Sequence, residues 1–268
     1  MSKRKSGVLL HITSLPGPFG LGELGEEAYR FVDRLVDMGQ SVWQVLPLNP
    51  TLDDGCPYTS PSGRAGNASL ASIQRLIANG YLQEADAAAL RAVPRDSIPF
   101  MEVLPLRNRL IRQAAQNFLD RNSTDKNASF DAFCSTQGSL WLDDYALFSA
   151  LQEAHDNTPW PEWPAALRDR EPNALDEARQ RHAVRINEIR VEQWFFDCDW
   201  RALKAYTNDK GIELFGDMPI YVAHNSVDVW SAPDNFLLDD AGQPYVVAGC
   251  PPDALSVEGQ RWGNPLYN

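Results

Sequence analysis

Apolar residues fall along this chain in two patterns, short compact runs and longer stretches in which they recur every three or four positions. The first kind reads as strands and the second as helices. Gly7-Val8-Leu9-Leu10-His11-Ile12 is a compact run ended by Ser14-Leu15-Pro16-Gly17-Pro18, which predicts a buried strand leading into a loop. From Gly25 to Met38 the residues Ala28, Phe31, Val32, Leu35, Val36 and Met38 form one stripe, with Glu26 and Glu27 in the first turn and Gly39 behind the last. That predicts a helix with one face on a sheet. Ser41 to Leu48 is a second buried run, so strand, helix and strand with short connections predict a right-handed parallel βαβ unit. A long helix over 183–209, with Ile186, Ile189, Phe196, Trp200 and Leu203 on one stripe, leads into a third strand at Ile212-Glu213-Leu214-Phe215.

Between the second and third strands, residues 70–182 read as a mostly helical insertion, with helices near 70–79, 84–92, 105–121 and 140–154. Two stretches interrupt it, the polar run 122–127 and Trp160-Pro161-Glu162-Trp163-Pro164, where the prolines restrict both their own φ and the residue before them. The two tryptophans either stack on a sugar or pack beneath a loop, and packing is the commoner use. Beyond 231, a turn at Asp239-Asp240-Ala241-Gly242 between short apolar runs predicts a hairpin, followed by a polar, glycine-rich loop. The chain divides at 1–69, 70–182, 183–231 and 232–268. The pattern is α/β with a helical insertion, without repeats.

Composition narrows the partners. Lys and Arg total 24 against 36 acids, a net charge of −12, which argues against nucleic acid or an anionic membrane and favours a neutral polar ligand. The apolar run behind the basic start is shorter than a signal peptide's core, and Cys56, Cys134, Cys198 and Cys250 are scattered, which implies reduced thiols and a cytoplasmic setting. The four histidines are equally dispersed, so neither a metal nor another cofactor is expected.

Three places carry candidate chemistry. Asp217 follows Gly216 directly at the end of the third strand, where an α/β barrel delivers side chains to its active-site mouth; its bland alternative is a turn or cap residue. Residues 49–67 form a long loop rich in Pro, Gly, Ser and Asp that carries Cys56-Pro57-Tyr58, and Tyr58 serves either a ligand or surface packing. Gly259-Gln260-Arg261-Trp262-Gly263-Asn264-Pro265 sets amides and an indole between glycines. Amides both donate and accept, and indole covers the apolar face of a sugar, so this run suits a hydroxyl-rich ligand.

Taken together, GVLLHITSLPG (7–17), SVWQVLPLNP (41–50), PYTSPSGRAGN (57–67), QWFFDCDWRALKAY (193–206), GDMPIYVA (216–223) and VAGCPPDALSVEGQRWGNPLY (247–267) resemble glycoside hydrolase family 77, the 4-α-glucanotransferases or amylomaltases. The resemblance runs from residue 7 to the end. It implies a (β/α)₈ TIM-barrel fold of which only the first three barrel strands are present, the helical insertion lying between the second and third. It further implies that Tyr58 lines the sugar ring at the cleavage point and that Asp217 hydrogen-bonds that sugar. Gln260, Trp262 and Asn264 then fall in a mobile loop that closes over the glucan, Trp262 on the acceptor side. The implied partners are α-1,4-glucans, maltooligosaccharides and amylose.

Retaining transfer between sugars needs two carboxyl groups about 5 Å apart, a nucleophile and an acid/base. The resemblance places the nucleophilic Asp in an Arg-x-Asp-His block after the fourth barrel strand and the acid/base Glu after the fifth, both beyond Asn268, and no such block occurs in these residues. The chain therefore reads as the N-terminal portion of such a transferase, supplying substrate contacts without catalytic residues. The alternative is a glucan-binding or inert piece. Cys56 stands where the family usually has Ser, and Gly63-Arg64 where it usually has an apolar aromatic.

Overall fold

The computed structural model describes residues 4–52, 54–94, 98–121, 127–254 and 256–268. Most of the polar run expected to interrupt the insertion, 122–126, and the first three residues of the basic start lie outside them. Three strands, β1 (Gly7–Leu9), β2 (Val42–Gln44) and β3 (Glu213–Phe215), form a parallel sheet in that order, with Val8, Trp43 and Leu214 in one register row. The helix α1 (Glu26–Asp37) connects β1 to β2 as the apolar stripe predicts.

Alternate residues of a strand face opposite sides of its sheet. The middle row faces the helices: Trp43 is fully buried, meets the Phe31 ring edge-on at 4.9 Å and donates its indole N–H to the Leu10 carbonyl at 2.8 Å. The flanking row faces the other way, and there Leu9 and Phe215 are 55% and 59% exposed. The buried strands expected from the apolar runs are thus covered on one face. β1 is also shorter than its apolar run, because the chain turns into a 3₁₀ turn at Ile12–Ser14.

In the insertion, α2 (Ile73–Ala78), a 3₁₀ turn at Glu84–Ala87 with α3 (Ala88–Arg91), and α4 (Phe100–Arg121) fall where the periodicity puts them. α4 starts ahead of 105 and runs through Pro105, whose missing N–H forfeits a single bond within the first turns. The sequence reading has no counterpart for α5 (Ala128–Gln137), of which only Phe133 is buried, so it carries no apolar stripe; its one local signal is Asn127, which caps it by accepting from the Phe130 N–H at 3.1 Å. A π-helical turn, Gly138–Leu142, joins it to α6 (Asp143–Ala154). Then follow α7 (Ala165–Arg168) and α8 (Pro172–Arg181), the latter signalled only by Pro172 at its first position. The long α9 (Ala183–Asp209) returns to the sheet and packs on α1, where Tyr206 donates to Asp33 at 2.7 Å.

Trp160 and Trp163 are each 3% exposed and pack with Phe148 and with Trp230 of α10 (Val227–Ser231) in an apolar cluster of their own. Their indole N–H groups donate to the carbonyls of His224 and Thr158. The packing reading therefore stands. The turn at 239–242 is present, but a longer ribbon pairs β4 (Val247–Cys250) with β5 (Gln260–Pro265) antiparallel. The stretch expected to be a mobile loop is therefore a strand. β4 supplies its backbone partners, and the close approach is possible because a Cβ at Gly249 would sit 2.3 Å from the Gln260 carbonyl.

Polar groups hold the far end of the long loop that begins at Asn49 from inside the core. Arg107, fully buried, donates to the carbonyls of Ser69 (2.7 Å), Phe19 (3.2 Å) and Ala71 (2.9 Å) and pairs with Glu23 at 3.0 Å. Glu23 in turn accepts from the Ser72 hydroxyl and the Ile73 N–H, and Asp199, paired with Arg75, takes the Ser72 N–H at 2.7 Å. Removing one partner of such a buried pair strands the other without solvation. Arg107→Ala is expected to lower the unfolding free energy by about 3–5 kcal/mol in urea titrations, and Arg107→Lys, which lacks the planar fork, to recover little of it.

Candidate functional site

The loop from Asn49 to Asn67 has no ladder of its own, so its backbone groups take side-chain partners. The Asn49 amide donates to the carbonyls of Ser62 and Ala65, both at 3.1 Å. The Ser60 hydroxyl donates to Pro50 and Ser62 carbonyls, and the Ser62 hydroxyl accepts from the N–H groups of Arg64 and Ala65. Gln193 of α9 clamps Gly66 from both sides, accepting its N–H at 2.9 Å and donating to its carbonyl at 2.8 Å. Asp228 of α10 accepts the Gly63 N–H at 2.8 Å, and burial raises its carboxyl above the usual range. Gly66 must be glycine, since a Cβ there would stand 2.1 Å from the Phe196 ring.

This scaffold presents Tyr58 at the surface, 46% exposed, with its hydroxyl donating to Asp217 Oδ2 at 2.8 Å. Asp217 follows β3, and its Oδ1 accepts the Met218 N–H at 2.8 Å. The two residues singled out in the sequence, 159 positions apart, therefore meet beyond the C-terminal ends of β2 and β3. The carboxylate beside it raises the Tyr58 phenol's pKa, chiefly by accepting its proton in the hydrogen bond. Beside the pair opens a cavity of about 390 Å³ lined by Asn49, Arg64, Trp141, Gln193, Arg201 and Asp217 among others. Among the described residues no cluster of His, Cys, Asp and Glu is disposed to hold a metal ion.

The other three predicted residues lie together on β5. Trp262, 49% exposed, donates its indole N–H to Gln260 Oε1 at 2.9 Å, and its ring centroid is 6.4 Å from that of Tyr221. Asn264 is different in kind. It is 7% exposed, and its amide donates to the Val222 carbonyl at 2.8 Å, fastening the ribbon to the segment that follows Asp217. Tyr267 reinforces that seam by donating to Ile220 at 2.9 Å and stacking on Tyr221 at 6.1 Å. Asn268, beyond which the resemblance puts both catalytic carboxylates, has a backbone role of its own: its N–H donates to the Asn235 carbonyl at 2.9 Å, tying the end of the ribbon to the turn behind α10. It lines a cavity other than the one beside the Tyr58–Asp217 pair.

Residues 10–268 match the family model described as 4-alpha-glucanotransferase. This chain belongs to the 4-alpha-glucanotransferase family. It is 43% identical to the 4-alpha-glucanotransferase of Thermus thermophilus over 98% of its length and 52% of the relative's. To the chloroplastic/amyloplastic 4-alpha-glucanotransferase DPE1 of Arabidopsis thaliana it is 39% identical, over 100% of this chain and 46% of that one. The amylomaltase of Streptococcus agalactiae, solved in complex with acarbose, superposes with a TM-score of 0.92 at 41% identity, covering 99% of this chain and 53% of the other. The chain spans about half the length of the relatives it matches.

For a member of the 4-alpha-glucanotransferase family, the residues the sequence reading missed are those that aim the visible ones: Gln193, Asp228, Tyr221 and Tyr267. Asp228 carried no local signal, whereas Gln193, Tyr221 and Tyr267 stood inside recognised blocks without a sign of what they contact. Gly66→Ala is expected to force the Phe196 ring and the loop apart, at about 1–3 kcal/mol of stability in urea titrations. A crystal structure of the variant should show the Tyr58–Asp217 hydrogen bond lengthened or lost.

Proposed function

We propose that the protein this chain represents transfers α-1,4-glucan segments between maltooligosaccharides by retaining double displacement, and that these residues form part of its glucan cleft. The observation that carries the reading is the Tyr58–Asp217 pair, joined at 2.8 Å beyond the ends of two parallel strands. β1, β2 and β3 are read as the first three strands of a (β/α)₈ barrel, whose active sites lie at the C-terminal ends of the strands. Asp217 grips the hydroxyls of the sugar at the cleavage point, and Tyr58 lines its ring. Trp262, with Gln260 holding its indole, covers the sugar on the acceptor side, and Asn264 sets the ribbon's position instead of touching glucan. The nucleophile and the acid/base are supplied by carboxylates beyond Asn268, in keeping with the missing Arg-x-Asp-His block. The 268 residues alone therefore hold glucan without transferring it.

Neutral glucan as substrate agrees with the net charge of −12 and with a cytoplasmic setting, which the four free cysteines favour. No helix among the described residues is long and apolar enough to cross a membrane.

The full-length protein given maltotriose should release glucose and build longer oligosaccharides together, whereas the 268-residue chain should do neither; chromatography of the products decides it. Asp217→Asn keeps an acceptor for the Tyr58 hydroxyl but loses the charge that strengthens a sugar hydrogen bond. In the full-length protein it is expected to lower kcat/KM for maltotriose about 10- to 100-fold while stability changes by less than about 1 kcal/mol. Unchanged kinetics would return Asp217 to a turn-capping role.

A further inference from the structure

A second cavity, of about 540 Å³, opens on the other side of Arg64. Arg64 and Trp141 line both cavities, so the two share a wall. The second is bounded by the loop at Ser62–Arg64, the π-helical turn, α10 and the residues around Phe236 and Tyr267. Its polar wall holds the carboxylates of Asp144 and Asp228, the Ser231 hydroxyl and the Asn235 amide. A mixed wall of acceptors, donors and indole is what a neutral polyhydroxylated ring requires.

An aromatic path joins this cavity to the candidate site. Ring centroids step from Trp262 to Tyr221 (6.4 Å), from Tyr221 to Tyr267 (6.1 Å) and from Tyr267 to Phe236 (5.2 Å), and Tyr267 and Phe236 line the cavity itself. Trp262 and Tyr267 are each about half exposed whereas Phe236 is buried, so the open part of the path runs from Trp262 to Tyr267. Arg64 lies on the wall shared by the two cavities. Its hydrogen bond to the Leu140 carbonyl is long, at 3.4 Å, which leaves a guanidinium with five donors little committed to the protein. Asp228 spends Oδ2 on the Gly63 N–H, and its side chain lines the cavity wall.

Resting on the glucan-transfer reading, we infer that a glucan bound at the Tyr58–Asp217 pair continues along Trp262, Tyr221 and Tyr267 and seats a remote glucose unit in the cavity between Arg64 and Asp228. Arg64, standing where the resembled family usually carries an apolar aromatic, gives that unit hydrogen bonds in place of a ring face. The cavity thereby sets how strongly the protein prefers long glucans.

The test is substrate length in the full-length protein. Ser231→Ala and Asn235→Ala alter side chains that line the second cavity and not the first, and each is expected to cut kcat/KM for maltoheptaose about tenfold while changing that for maltotriose less than about twofold. Tyr58→Phe, at the shared cleavage point, should depress both substrates alike. Equal losses on both substrates in the Ser231 and Asn235 variants, or no loss with maltoheptaose, would overturn the inference. If the wild-type protein transfers nothing from either substrate, the transfer reading itself fails, and calorimetric titration with maltoheptaose then decides the cavity. Binding that weakens in both variants sustains it; binding that is absent, or identical in wild type and variants, removes it.

Discussion

A loop without a ladder must still satisfy its backbone, and that constraint organises this structure. From Asn49 to Ile73 the chain crosses the mouth of the sheet almost without regular pairing, yet much of it is buried. Interior side chains reach out to it: Gln193 and Asp199 from one face of α9, Arg107 from α4, Glu23 from the start of the chain and Asp228 from α10. Each is a polar group in a low-dielectric setting, costly if unpartnered, so the loop and its clamps hold one another in a single arrangement. Tyr58 inherits that rigidity. Its hydroxyl meets Asp217 because the loop's base is fixed on α9 and α10 while β3 fixes the carboxylate.

The same dependence explains what could be read from the sequence. The parallel βαβ start, α9 and the position of Asp217 were legible because each is a local pattern: a stripe, a compact run, a glycine before an acid. Tyr58 was legible as a loop aromatic, and its partner was not, since nothing local relates residues 159 apart. The clamps were illegible for that reason, Gln193 and Gly66 being 127 positions distant. α5 escaped because a helix that buries only Phe133 has no periodic face to detect. β5 was taken for a loop because its glycines and amides disfavour a strand on their own, and the bonds that make it one come from β4.

The recovered part of the site also divides by function. Tyr58 and Trp262 are about half exposed and face solvent, whereas Asn264 spends its amide inside the protein on Val222. Residue type alone suggested three ligand-facing groups on β5, yet hydrogen-bond accounting assigns one of them to holding the ribbon. Asn264 commits one of its two amide N–H donors to the Val222 carbonyl, and that bond fixes where the side chain points.

The open face of the sheet follows from the same logic. Parallel sheets are stable when both faces are covered, and here Trp43 and Leu214 turn towards the helices while Leu9 and Phe215 turn outward among exposed apolar neighbours such as Met218 and Ile220. On the barrel reading that outward row points to the barrel interior, where layers of side chains from alternate strands fill the space. Asp217 follows the end of β3, two residues beyond Phe215. The outward turn of Phe215 and the presentation of Asp217 are therefore two results of the same pleat.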